Sequence, residues 1–215
     1  MINLNLDPTN FNKFNNLDSV ETRIIEYLRD TNTADSERIW KILKYSDMRA
    51  LYQDNLSAEE KNKLIYKDAD EKNCRVFNFR YIEDNFIETC SLLKIYIYGI
   101  TPTNHLMSKV NIGIDILSHN KLSNIYNDNG DILENGRPVE SNISVKNRNT
   151  ILLKSILTTL NGANIEGIGT LQFNQEMSEQ CQAEMRLSNN KNFYGYTVVL
   201  SCHMGSVGVA ANGFR

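Results

Sequence analysis

Apolar and polar positions along this chain follow two periods, a helical one in the first third and a two-residue one afterwards. Val20, Ile24, Ile25 and Leu28 share one face of a helix that starts at Asp18 or Ser19, where Asp18-x-x-Glu21 has the spacing of a capping box. A second helical stretch runs from Ser36, with Ile39, Trp40, Leu43 and Tyr45 as its apolar stripe. Ser57-x-x-Glu60 opens a short third helix that ends near Tyr66. From Arg75 the period drops to two. Phe77, Phe79 and Tyr81 alternate with Val76, Asn78 and Arg80; Leu93, Ile95 and Ile97 alternate with Lys94, Tyr96 and Tyr98; Val110, Ile112, Ile114 and Ile116 line one face of a third run. Residues 99–109, containing Pro102, join the second and third runs as an antiparallel pair with a long loop.

A helix returns at about residues 149–160, carrying Leu152, Leu153, Ile156, Leu157 and Leu160, and Asn161-Gly162 stops it. Two strand-like runs, 169–173 and 193–203, close the pattern, and Tyr196, Val198, Leu200 and Cys202 form the buried face of the last. The expected fold is α+β, an antiparallel sheet with helices packed on one face and a helical N-terminal third. Residues 1–17 read as an arm with scattered Leu4, Leu6, Phe11 and Phe14 and no helical or strand period. Residues 18–204 read as one domain with a helical region at 18–66, and residues 205–215 as a tail. Within the domain, 118–148 and 174–192 exceed the ~12 to 15 residues usual for structureless loops. Such loops serve either as contacts to other chains or as surface insertions. At least one chain end is expected to be ordered by a neighbouring subunit, against the alternative of frayed termini.

Composition narrows the partners. A formal net charge of −3 over 215 residues gives no basic surface for neutralising phosphates, so any role near DNA is enclosure. No run approaches the roughly 18 apolar residues that cross a bilayer, and residues 1–14 place Asn and Asp where a signal peptide needs an apolar core. No membrane partner and a cytoplasmic site of synthesis are expected. Cys74, Cys90, Cys181 and Cys202 are widely spaced and read as free thiols.

Candidate chemistry is sparse. Gly167-Ile168-Gly169 lacks a following Gly-Lys-Ser or Gly-Lys-Thr and precedes a strand, which makes it a turn and not a phosphate cradle. His203 adjoins Cys202, but neighbours on a strand point to opposite faces and do not share one ion. His105 and His119 lie in or beside loops as ordinary surface or hydrogen-bonding residues, Trp40 reads as core, and Glu59, Glu60, Lys61 and Lys63 read as a solvated helix face. One enzymatic alternative is a restriction-endonuclease-like nuclease, which sets an Asp on one strand and an acidic-x-Lys motif on the next to hold magnesium. Asp115 supplies the first carboxylate, but the run 169–173 offers Thr170 and Gln172. No catalytic, cofactor-binding or metal-binding residue is therefore assigned, and no enzyme and no cofactor are expected.

The order of elements resembles that of tail terminator and related neck proteins of tailed bacteriophages. The resemblance rests on an N-terminal helix, a strand ending Ile114-Asp115-Ile116-Leu117-Ser118-His119, and a helix ending Ile156-Leu157-Thr158-Thr159-Leu160-Asn161-Gly162. The closing strands are Gly169-Thr170-Leu171-Gln172-Phe173 and Tyr194-Gly195-Tyr196-Thr197-Val198-Val199-Leu200, so the pattern spans residues 75–203. The helical region 36–66 and the connection 118–148 are longer than that family's pattern. What the resemblance implies is a virion protein, assembled in the host cytoplasm. It would be a homo-oligomeric ring, commonly a hexamer, that caps the tail tube and joins it to the head-side connector while DNA passes through its channel. Another connector, adaptor or tail-associated subunit, and a phage-encoded inhibitor that binds one partner, remain the alternatives.

Overall fold

The structure is a computed structural model that describes residues 16–67, 73–80, 88–103, 107–126, 133–134, 137–138, 145–180 and 192–205. His105, Tyr81, Cys181, nearly all of the N-terminal arm and all but the first residue of the C-terminal tail lie outside the described residues. A 3-10 turn at Leu17–Ser19 leads into α1, Val20–Asp30, which buries Val20, Ile24, Ile25 and Leu28 as its spacing predicts. The expected capping box at its start does not form. Ser19 stands at the cap, but its hydroxyl donates to the Asn16 carbonyl and accepts from Arg23 Nε instead of capping, and the Glu21 carboxylate accepts the Ile97 N–H at 3.3 Å. Helix α2, Ala34–Lys44, begins two residues earlier than Ser36 because Thr33 accepts the Ser36 N–H at 3.2 Å. Ser36 Oγ and Trp40 Nε1 both donate to the Leu28 carbonyl, at 2.8 and 3.0 Å, so the end of α1 is tied to α2 by its otherwise orphaned acceptor. Helix α3, Ala58–Leu64, carries the capping box read from Ser57 and Glu60.

Strand β1, Val76–Phe77, is far shorter than the aromatic alternation predicted, and it runs parallel to β2, Ser91–Pro102. Its aromatic side chains turn inward on each other: Phe79 packs edge-on against Tyr66 and Phe77, with ring centroids 5.0 and 5.5 Å apart. Strands β2 and β3, Met107–His119, pair antiparallel as expected, but they extend to Pro102 and from Met107, so the predicted long loop is a short one. The predicted loop at 118–148 holds β4, Asn124–Tyr126; β5, Leu133–Glu134; β6, Arg137–Pro138; and β7, Val145–Asn147. Helix α4, Arg148–Leu160, follows, capped by Asn147. The run 169–173 is divided. Asn164–Ile165 (β8) and Gly169–Thr170 (β9) make a hairpin whose turn contains Gly167 at φ 77°, and Gln172–Phe173 (β10) joins the main sheet. Helix α5, Gln175–Gln180, occupies part of the second predicted loop, and β11, Phe193–Gly205, closes the chain's described part.

The main sheet has the order β1-β2-β3-β11-β10, antiparallel except at β1. Its central strands β3 and β11 pair over their full lengths, from His119 with Phe193 to Met107 with Gly205. Helices α1, α2 and α4 cover one face, where Leu93, Ile95, Val110, Ile112, Ile114, Ile116, Leu200 and Cys202 are all at most 1% exposed. At ~1.5 to 3 kcal/mol for each fully buried aliphatic side chain, this face is the main source of stability. Gly195 on β11 is required by contact: a Cβ there would sit 1.7 Å from the Ile116 carbonyl oxygen.

Candidate functional site

The sheet's other face carries the chemistry. Lys94 of β2 and Thr197 of β11 both stand opposite Asp115 of β3 in the strand register, and their alternation places all three away from the helices. Asp115 is fully buried; its Oδ1 accepts the Tyr96 hydroxyl at 2.9 Å and the Thr197 hydroxyl at 2.6 Å. Its Oδ2 has no hydrogen bond and lies 3.6 Å from Arg80 Nε, whose guanidinium sits 5.2 Å over the Tyr96 ring. Lys94, 2% exposed, has its ammonium pushed below the ordinary lysine range by burial and by Arg80, with Asp115 opposing. Gly113 leaves the space that Tyr96 fills, since a Cβ would come within 2.6 Å of its ring. Along the same face, Ser201 Oγ donates to Asn111 Oδ1 at 2.7 Å and Asn174 Nδ2 donates to Ser201 Oγ at 2.8 Å. At its other end the face turns apolar, with Cys90, Leu92, Leu117 and Phe193 beside Phe77 and Phe79.

This arrangement fixes a carboxylate and does not free it. Both hydroxyl donors occupy Oδ1, the Arg80 guanidinium stands near Oδ2, and these neighbours hold the carboxylate in place. The second half of a nuclease motif is not beside it: Gln172 pairs with Ser201 and Thr170 with Asn164, so β11 lies between β10 and Asp115's strand. Among the described residues no three His, Cys, Asp or Glu side chains are grouped as metal ligands would be.

At the outer border of β2 the sheet is open. β1 pairs only with Leu93 and Lys94, and beyond them β2 has no strand partner on that side among the described residues. A groove of about 650 Å³ runs there, lined by Glu21, Asn78, Phe79, Arg80, Tyr96, Ile97 and Tyr98. Tyr98, Ile100 and Met107 are 37 to 39% exposed at this end of the long strands. A smaller cavity of about 280 Å³ lies between α2 and α4, where Asp35 already serves Arg38 at 3.0 Å and Ser155 at 3.2 Å.

A third polar centre is structural. Arg148, the first residue of α4, is fully buried and donates to Ser91 Oγ at 2.9 Å, the Asp47 carbonyl at 3.0 Å, the Ile42 carbonyl at 2.7 Å and the Tyr45 carbonyl. It closes the C-terminal end of α2, and burial pulls its guanidinium down to about 10.

The residues singled out from the sequence are dispersed. Cys202 is buried and His203 exposed, on opposite faces. His119 is 4% exposed; its Nδ1 accepts the Lys121 N–H at 3.2 Å, its ring meets Phe193 edge-on, and burial holds it below its ordinary pKa. Cys74, Cys90 and Cys202 are free and buried, and burial pushes the Cys90 and Cys202 thiols up to about 11. Trp40 is in the core. The solvated face expected around Glu59 holds for the exposed Glu59–Lys63 pair at 3.2 Å, but Lys61 is 2% exposed and bonded to Glu37 at 2.5 Å. Sequence reasoning missed Arg148 and the partners of Asp115.

Residues 36–202 match the YomW family model, a span from α2 to β11 that includes the Asp115 cluster. The chain belongs to the YomW family. That family is phage-associated, which points to a phage-encoded protein, and its name specifies no activity. No curated protein and no solved structure matches the chain. No helix among the described residues is long and apolar enough to cross a membrane.

Proposed function

We propose that this YomW-family protein is a structural subunit of a tailed-phage virion. It forms a ring in the neck, of six copies as in the neck proteins it resembles, which ends the tail tube and meets the head-side connector. The observation that supports this reading is the border of β2 beyond Lys94, which has no strand partner among the described residues, with Tyr98 and Ile100 exposed along it and Met107 across the hairpin. An unpaired strand edge with apolar side chains is a template for another chain, and repetition of one such contact around an axis closes a ring. The net charge of −3 is compatible with a channel through which DNA slides, since tight phosphate binding would hold it. The Asp115 cluster serves as a rigid polar filler that fixes the register of β2, β3 and β11, not as a catalyst.

Light scattering on the purified protein, with negative-stain imaging alone and after mixing with tail tubes, tests the proposal. A closed oligomer with a central hole, or caps on tube ends, is expected. A strict monomer that ignores tubes refutes the ring and favours a partner-binding inhibitor, and magnesium-dependent loss of added DNA restores the nuclease reading.

A further inference from the structure

We infer that the groove beside β2 is a binding site for a flat, singly charged carboxylate, with Arg80 as the group that takes its oxygens. The inference goes beyond the ring reading and does not depend on it. Arg80 is exposed over 57% of its side chain, yet it is held in place. Its Nε stands 3.6 Å from Asp115 Oδ2, a fully buried oxygen without a hydrogen bond, and its guanidinium lies 5.2 Å over the Tyr96 ring. Tyr96 is itself fixed, by the bond from its hydroxyl to Asp115 Oδ1 and by the space that Gly113 leaves for its ring. The two terminal nitrogens of Arg80 make no hydrogen bond among the described residues. They form an unused fork of donors at the spacing that a carboxylate accepts. Because the fork is oriented before a ligand arrives, binding costs less side-chain entropy than at a loose surface arginine. Charge also leaves room for one more anion. Lys94 stands opposite Asp115 in the register and interacts with the same carboxylate, so Arg80 is not its sole counter-charge.

The walls select the rest of the ligand. Phe79 and Tyr98 line the groove together with Arg80 and Tyr96. The register of β2 slips at Tyr98, the extra residue of a bulge, and a bulge re-aims the side chain it carries. Tyr98 is 39% exposed, and no heavy atom lies within 4 Å of where a Cβ on Gly99 would sit, so the strand surface past the ring is open. Exposed ring faces of this kind stack on flat apolar bodies. The volume of about 650 Å³ falls within the roughly 300 to 1,000 Å³ of small-molecule sites. Glu21 limits the charge. Its carboxylate also lines the groove, tied to the Ile97 N–H, and it repels a second negative charge, so a monocarboxylate fits where a phosphate dianion does not.

Calorimetric titration of the full chain with naphthoate, a flat monocarboxylate, tests this, with neutral naphthalenemethanol and inorganic phosphate as comparisons. Naphthoate is expected to bind saturably, and the other two about tenfold or more weakly. Arg80→Gln is expected to weaken naphthoate by about tenfold or more, and Arg80→Lys, which keeps the charge without the fork, by less. Tyr98→Ala leaves the Asp115 cluster untouched and is expected to weaken naphthoate about three- to tenfold. Circular dichroism checks that each variant is folded. The inference is overturned by a wild type that does not bind naphthoate saturably, or that binds the alcohol or phosphate as tightly. Wild-type affinity for naphthoate in folded Arg80→Gln or in Tyr98→Ala overturns it equally. None of these results bears on the mass of the oligomer, so the ring reading stands or falls separately by light scattering.

Discussion

Replacing Arg148 with Met keeps most of the side chain's length and volume but removes all four hydrogen bonds that it makes. Those to Ser91 and to the Ile42 carbonyl are buried, whereas those to Asp47 and Tyr45 are only partly so and water can replace them. Ser91 keeps its 2.9 Å bond with Ser118. The Ile42 carbonyl is left unsatisfied at the end of α2. Each buried orphan costs ~1 to 3 kcal/mol, and charged donors stand at the upper end of that range. Against this, the guanidinium no longer has to be desolvated, a cost visible in its fall to about 10. The balance is a loss of ~1 to 3 kcal/mol. Arg148→Lys, with a point charge reaching one or two of the acceptors, is expected to lose about half as much. Urea unfolding followed by Trp40 fluorescence reads this directly. At ~2 kcal/mol per molar for the denaturant slope, the Met variant's midpoint falls by roughly 0.5 to 1.5 M with an unchanged slope. A Met variant within ~0.5 kcal/mol of wild type, or more stable, refutes the reasoning and makes Arg148 a replaceable space filler.

Two further outcomes follow from local geometry. The Glu60 carboxyl is held at about 2, against an ordinary 4.5, by the Lys44 ammonium and by the Ser57 N–H and hydroxyl. Because its folded pKa is depressed, it contributes stability that is complete above about 4.5 and is lost as pH falls toward about 2; Glu60→Gln should flatten that limb, and parallel losses in urea midpoints from pH 5 to pH 2 would contradict it. At Gly195 an added methyl meets backbone, 1.7 Å from the Ile116 carbonyl, whereas at Gly113 it meets the swingable Tyr96 ring. Gly195→Ala is therefore expected to lower Tm by more than about 6 °C and Gly113→Ala by less, and the reverse order in a thermal scan would be the contrary result.

Where local chemistry decided the outcome, the sequence was a sufficient guide. Ser57 and Glu60 form their capping box, the stripe of α1 is buried, that of α4 is buried at Leu152, Ile156 and Leu160 with Leu153 and Leu157 half-buried beside them, and the alternation of β2, β3 and β11 sorts their side chains to the faces expected. It misled where a distant partner competed. Glu21 has the spacing to cap α1 but bonds Ile97 across the fold, and of Phe77 and Phe79, which alternate like a strand, only Phe77 lies in one while both rings pack against Tyr66. Asp115 was visible only as a lone acid on a strand, since Tyr96, Thr197 and Arg80 reach it from other segments and no spacing announces them. Arg148 did leave a trace. A cation in the first turn of a helix opposes the helix dipole, and such a misplaced charge calls for a partner elsewhere.

The full-length pairing of β3 with β11 sets the order in which the protein can be made. Residues 107–119 leave the ribosome long before residues 193–205, so the central strand of the sheet is synthesised without the neighbour that completes it. Until then Ile112, Ile114 and Ile116 have a covered flank only toward β2. Contacts of such long sequence separation form slowly, and the sheet closes only after β11 has been made. Assembly thereby waits for β11: a subunit truncated before that strand has no closed sheet to contribute to any larger structure.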